Sequence, residues 1–252
     1  MKTFLFELCV ESLEAGRVAE AAGADQIELC ADLKAGGVTP SFDLLEATID
    51  ALSIPVHVLI RPRSGDFAFS ADEFRLMRTQ IELASSAGAA GIATGVLLPD
   101  GRVDVERTRE LVDLARPMKV TFHRAFDETP DQMRALEDVI LCGVNCLLTS
   151  GGEPDVLAGA ESIARLRRRA GERLDVMAGG GLRLEIVEEV LRRTGVSHMH
   201  GSLTRRAMSR GVLNGERHGN GGSGVPLPLE ADVREAVRLL QLQQGFQEQS
   251  AS

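Results

Sequence analysis

Eight side chains able to do chemistry stand at spacings that suggest a shared location. Glu7-Leu8-Cys9 is echoed by Glu28-Leu29-Cys30, each acid two residues before a thiol. Arg61 and His123 each close a short apolar run, and His198 and His200 alternate with Met199. Carboxylates and imidazoles can move protons, which makes Glu7, Glu28 and His123 acid/base candidates. Arg61 and His200 can stabilise developing negative charge. Such a set suits isomerase or lyase chemistry on a small phosphorylated metabolite.

The two thiols open a second reading. Adjacent strands lie about 4.8 Å apart, so Cys9 and Cys30 at equivalent points of neighbouring strands could hold a soft ion such as Cu(I). The competing reading is packing, because free cysteine behaves as a small buried hydrophobe. His198 and His200 are spaced to share a strand face, as zinc ligands can be, but His198 is expected deeper, as a packed core residue. A third reading is purely structural. The buried acids, arginine and histidines could neutralise one another in a scaffold without catalysis.

These residues need elements to hold them together. Eight short apolar runs begin near Phe4, Gln26, Val56, Gly91, Lys119, Asn145, Asp175 and Ser197, separated by stretches of helical period. That alternation predicts βαβ units and a parallel sheet. Gly23-Ala24-Asp25-Gln26-Ile27 recurs as Gly88 to Ile92, Gly143 to Leu147 and Gly195 to Met199, always before an even-numbered strand. Four copies of a two-strand unit, in a chain near the roughly 250 residues of such folds, predict a closed (β/α)8 barrel of the TIM type. Residues 1–213 would form the barrel body, 214–224 a glycine-rich loop or linker, and 225–252 the last helix with a frayed tail. Ser70-Ala71-Asp72-Glu73 and Thr129-Pro130-Asp131-Gln132 both read as helix-capping boxes.

Side chains of a strand alternate between faces. With Phe6, Leu8, Ile27, Leu29, Val58, Ile60 and Phe122 turned to the helices, Glu7, Glu28, Arg61, His123 and His200 all turn inward. The long strand-to-helix loops mark the working face. There, Gly179, Gly180 and Gly181 after strand seven, and Gly201 and Ser202 after strand eight, could offer an anion their backbone N–H groups; Thr149 and Ser150 after strand six could add donors. Glycine also suits any tight turn.

Composition narrows the partners. Net charge is −9, with no Trp or Tyr, so a base-stacking nucleic-acid surface is not expected. No run approaches 18 apolar residues, so no membrane span is expected. Four cysteines without a CxxC, and an N-terminal apolar run too short for a signal peptide, predict a reduced, cytoplasmic protein. The lysines are Lys2, Lys34 and Lys119, the last at the wrong end of its strand, which argues against a Schiff-base aldolase.

Taken together, certain stretches resemble the CutC family, the copper homeostasis proteins. They are Phe6 to Ser12, Gly23 to Cys30, Gly36 to Ser41, Ile60 to Phe67, Thr121 to Asp127, Leu148 to Gly151 and Met177 to Gly181. The resemblance runs from about Phe4 to Arg205. It implies a (β/α)8 barrel in the cytosol, often a dimer or larger oligomer. It further implies a Cu(I) site at the cysteines matching Cys9 and Cys30. Ser64 departs from the glycine usual in its loop, and the glycine-rich insert before the last helix is atypical.

Overall fold

The computed structural model describes residues 4–203 and 227–250, with side chains described up to 243. The glycine-rich stretch 214–224 lies outside the described residues. The strands are β1 (Leu5–Val10), β2 (Gln26–Leu29), β3 (Val56–Leu59), β4 (Gly91–Thr94), β5 (Lys119–Phe122), β6 (Cys146–Thr149), β7 (Asp175–Gly179) and β8 (His198–Gly201). They pair in parallel, in chain order, and close as β8 meets β1. The helices are α1 (Leu13–Ala22), α2 (Phe42–Ala51), α3 (Ala71–Ala87), α4 (Val105–Ala115), α5 (Gln132–Cys142), α6 (Ala160–Ala170), α7 (Val187–Thr194) and α8 (Glu230–Ser250). This is the expected (β/α)8 barrel, with strand starts within one residue of their expected places. No described helix is long and apolar enough to cross a membrane.

The recurring glycine explains the regularity. Gly23, Gly88, Gly143 and Gly195 sit at the ends of α1, α3, α5 and α7 with φ of 87°, 86°, 80° and 65°. This left-handed conformation costs glycine little and other residues more, and its N–H caps the last turn. Each glycine thus stops a helix and turns the chain into the next even-numbered strand. Ser70 makes the expected capping box with Glu73. The second expected box is shifted: Asp131, not Thr129, accepts from Met133 N–H and Arg134 N–H to start α5. Thr129 instead closes the 3-10 turn Arg124–Glu128, its hydroxyl donating to Phe126 C=O.

The main core lies between strands and helices. Phe6, Leu8, Ile27, Leu29, Ile60, Ile92 and Phe122 are fully buried there. Inside the barrel lie two small apolar clusters. Cys9, Cys30, Leu59 and Ala93 form one; Cys146, Leu148 and Met177 form the other. Buried Glu7, Gln26, Glu28 and His57, with the mostly covered His200, supply much of the remaining filling. His198, expected to be a packed core residue, is only half-buried, its Nδ1 3.0 Å from the Ser197 hydroxyl.

Candidate metal centre and mouth pocket

Strand register builds the site. Glu7 on β1 lies level with Gln26 on β2 and with His200 on β8, while Cys9 lies level with Glu28. Large inward side chains alternate with glycine across the pairs: His57 faces Gly91 and His200 faces Gly179. A Cβ on Gly91 would stand 2.6 Å from the His57 ring, so the imidazole occupies the space a side chain would take.

Glu7 anchors this layer. One carboxylate oxygen accepts from His200 Nδ1–H at 2.8 Å. The other accepts from Gln26 Nε2–H at 2.6 Å and lies 3.4 Å from His57 Nδ1. Burial alone would raise its pKa; His200, His57 and Gln26 together override that and hold it below the ordinary carboxylate value. The partner responds in kind. Burial pushes His200 down, but Glu28 and Glu7 push it up by more, so its pKa is raised. Burial also depresses His57, against a smaller pull from Glu7.

Glu28 behaves oppositely to Glu7. Burial and the nearby Glu7 charge raise its pKa, against His200 and the Cys9 thiol. Cys9 donates to Glu28 Oε1 at 3.3 Å, and its sulfur lies 3.5 Å from Cys30 Sγ. Cys30 donates to Val10 C=O at 3.5 Å. Contact with Cys30, then burial, then Glu28 lift the Cys9 pKa well above that of an ordinary thiol. One ligand atom from each of Cys9, Glu28 and His200 lies within 4.8 Å of the others. Since Glu7 holds His200 Nδ1, Nε2 is the ring's remaining ligand atom. Thiol, imidazole and carboxylate together suit a soft or borderline metal ion rather than Mg2+ or Ca2+, which demand mostly oxygen.

These three residues form the floor of a pocket of about 290 Å³ at the barrel mouth. Its walls include Arg61, Phe67, His123, Arg124, Gly180, Gly181, Gly201 and Ser202. Arg61 follows β3, buried at 6% exposure, and donates to the carbonyls of Gly36, Gly37 and Gly65. Its guanidinium carbon sits 4.5 Å from the Phe67 ring centre. His123 follows β5, and its Nδ1 accepts from Ala125 N–H at 3.2 Å. Burial, helped by the Arg61 and Arg124 charges, drops its pKa to about 3. The ring is therefore neutral at physiological pH, with its proton on Nε2. In that state Nε2 can only donate a hydrogen bond.

Other expected residues take different places. Glu7 and Cys30 lie directly behind the floor, each bonded to a residue that lines it or touching one. Thr149 and Ser150 are engaged by an internal anion. Asp127 accepts from the Thr149 hydroxyl, from the Ser150 N–H at 3.1 Å and hydroxyl at 2.9 Å, and from Gly152 N–H at 3.1 Å. Gly179 makes room for Leu148 and His200, as a Cβ there would stand 2.4 Å from Leu148 Cδ1. Only Gly180, Gly181, Gly201 and Ser202 of the expected anion set line the pocket. Arg124 was not anticipated. It holds Asp127 at 2.9 Å and lies against Gly180, where a Cβ would come within 2.9 Å of its guanidinium carbon.

Comparison with known proteins agrees with this framework. A sequence profile of the CutC family matches residues 4–205. A CutC family protein of Mesorhizobium japonicum is 41% identical over 221 residues, spanning 88% of this chain and 86% of that one. The human copper homeostasis protein cutC homolog is 43% identical over 197 residues, spanning 78% of this chain and 72% of its own. A crystal structure of CutC from Streptococcus agalactiae superposes with a TM-score of 0.76 at 29% identity, covering 80% of this chain and all of that one. The chain belongs to the CutC family.

Proposed function

We propose that this protein binds Cu(I) at the barrel mouth, through the Cys9 and Cys30 sulfurs with His200 and Glu28 beside them. The supporting observation is the convergence of four donors: Cys9, Glu28 and His200 within 4.8 Å of one another, and Cys30 Sγ at 3.5 Å from Cys9 Sγ. Thiolates are the soft ligands Cu(I) prefers. The same set would accept Zn2+. Copper is preferred because relatives more than 40% identical carry copper homeostasis in their names. The ligands must lose protons before the ion binds, so thiol and metal compete with H+. Glu7 orients the histidine and lowers the cost of its role as ligand. Function of this kind needs reduced thiols, which suits a reducing compartment such as the cytoplasm.

The decisive experiment is a Cu(I) competition titration against a chromophoric chelator, run on the wild type and on the Cys9→Ser/Cys30→Ser double variant. We expect affinity to fall at least a hundredfold in the variant. Equal affinity in both proteins would remove the site. A parallel Zn2+ titration that proved the tighter by the same method would reassign the metal.

A further inference from the structure

The pocket wall carries two arginines, of which Arg124 is paired with Asp127 at 2.9 Å and Arg61 has no acid against it. Arg61 is buried, and each hydrogen bond its guanidinium makes is to a neutral carbonyl: Gly36, Gly37 and Gly65. Among the described residues no carboxylate forms an ion pair with it; Glu128 acts on it only through space. Arg124 stands beside it in the lining, and the one acid that lines the pocket is Glu28 on the floor. A buried guanidinium is costly unless something neutralises it.

Two N–H groups sharpen the point. Arg61 Nε and His123 Nε2 are buried and have no hydrogen-bond partner among the described residues. His123 cannot reverse its polarity, because Ala125 N–H occupies Nδ1 and leaves the proton on Nε2. Both side chains are gathered by Phe67. Its ring lies 4.5 Å from the Arg61 guanidinium carbon and 5.0 Å from the His123 ring centre. Buried donors in native proteins are nearly always paired; these two belong to side chains that line one pocket, where a small shift of guanidinium or ring would present the N–H to an acceptor arriving from outside.

We infer that the wall formed by Arg61, His123 and Arg124 binds the oxyanion head, carboxylate or phosphate, of a small metabolite. A guanidinium fork and a fixed N–H favour planar or tetrahedral oxyanions over neutral ligands. The pocket of about 290 Å³ accommodates a small metabolite. Gly180 and Gly181 border the head, while Cys9, Glu28 and His200 border the body of the ligand. The anion set read from sequence is thereby revised: Thr149 and Ser150 belong to Asp127, and Arg61, His123 and Arg124 replace them. This site does not depend on the metal being copper, or on a metal being bound.

The test uses the full chain, freed of metal by a chelator and labelled with 15N at the histidine imidazoles. Inorganic phosphate and glycolate are titrated separately, and the His123 Nε2–H signal is identified by its loss in His123→Gln. We expect a saturable shift with one or both anions. Phosphate alone would point to a phosphate ester, glycolate alone to a carboxylic acid. Affinity should fall at least tenfold in Arg61→Met and in Arg124→Met; the latter side chain is 44% exposed, so that variant tests the site even if the first fails to fold. The protein carries no metal in this titration, so the anion is read independently of the copper site. No saturable shift with either anion, or unchanged affinity in Arg124→Met, overturns the inference.

Discussion

His200 gives its Nδ1 proton to Glu7 at 2.8 Å, and this contact decides which ring nitrogen faces the pocket. A carboxylate can only accept, so the bond fixes the ring's orientation and leaves Nε2 toward Cys9 and Glu28. Replacing Glu7 with Gln removes the charge and slackens the orientation without touching any proposed ligand. Cu(I) affinity should fall about 10- to 100-fold, as for other residues that support a metal-binding histidine. A competition titration measures it, with circular dichroism to verify the fold. An unchanged affinity would mean that His200 is not a ligand.

Copper affinity should depend on pH through the thiols. The Cys9 pKa lies well above that of an ordinary cysteine, so the thiol is protonated throughout the physiological range and must release H+ when metal binds. Affinity is therefore expected to rise with pH by about tenfold per unit for each thiol that releases a proton. Titrations at three pH values give the slope, and a flat profile would exclude thiolate ligation.

His123 makes the fold sensitive to acid. The unfolded chain takes up a proton at this residue near pH 6.5, whereas the folded chain resists until about pH 3. Between those values the unfolded state holds more protons, so stability falls as pH falls. The contribution is complete above pH 6.5 and declines toward pH 3, by an amount on the order of a few kcal/mol. His123→Gln should flatten that part of the stability curve, as read by urea denaturation between pH 7 and pH 4.

Asp127 organises the loop after β6 from the loop after β5. Asp127→Ala would leave the Thr149 hydroxyl and the Ser150 and Gly152 amides without their acceptor. The expected loss is about 2–4 kcal/mol. Thr149→Val, which removes one donor and keeps the shape, should cost about 1 kcal/mol. Denaturant midpoints compare the two, and equal losses would show that Asp127 has no organising role.

Gly95 tests how tightly His123 is seated. A Cβ there would stand 2.7 Å from Nδ1 and 3.1 Å from Ala125 Cβ. Gly95→Ala should cost about 1–3 kcal/mol through overpacking. It should also move the His123 imidazole resonances, where a substitution tolerated by local adjustment would leave them in place.

Much of the arrangement was legible in the sequence, for reasons that differ by residue. Gly23, Gly88, Gly143 and Gly195 revealed the strand starts because one backbone requirement recurs four times. Strand parity placed Glu7, Cys9, Glu28 and His200 correctly because a two-residue period leaves no freedom once Phe6, Leu8, Ile27 and Leu29 face the helices. Loops obey no such period. Arg124 went unnoticed because its position on Gly180 depends on two loops meeting. Thr149 and Ser150 looked like open donors because their acceptor, Asp127, lies more than twenty residues away. Asp131 displaced Thr129 as a helix cap because Thr129 is already tied to Phe126.

The bond between Glu7 and His200 spans 193 positions of chain and crosses the seam where the first stave meets the last. Nothing shorter than the full circuit of strands can assemble the floor of the pocket. A nascent or truncated chain that stops before β8 would present thiols and acids without their imidazole. If the proposed ligands bind here, their capture doubles as a certificate of completed closure, and unfinished copies would compete poorly for scarce ion or metabolite.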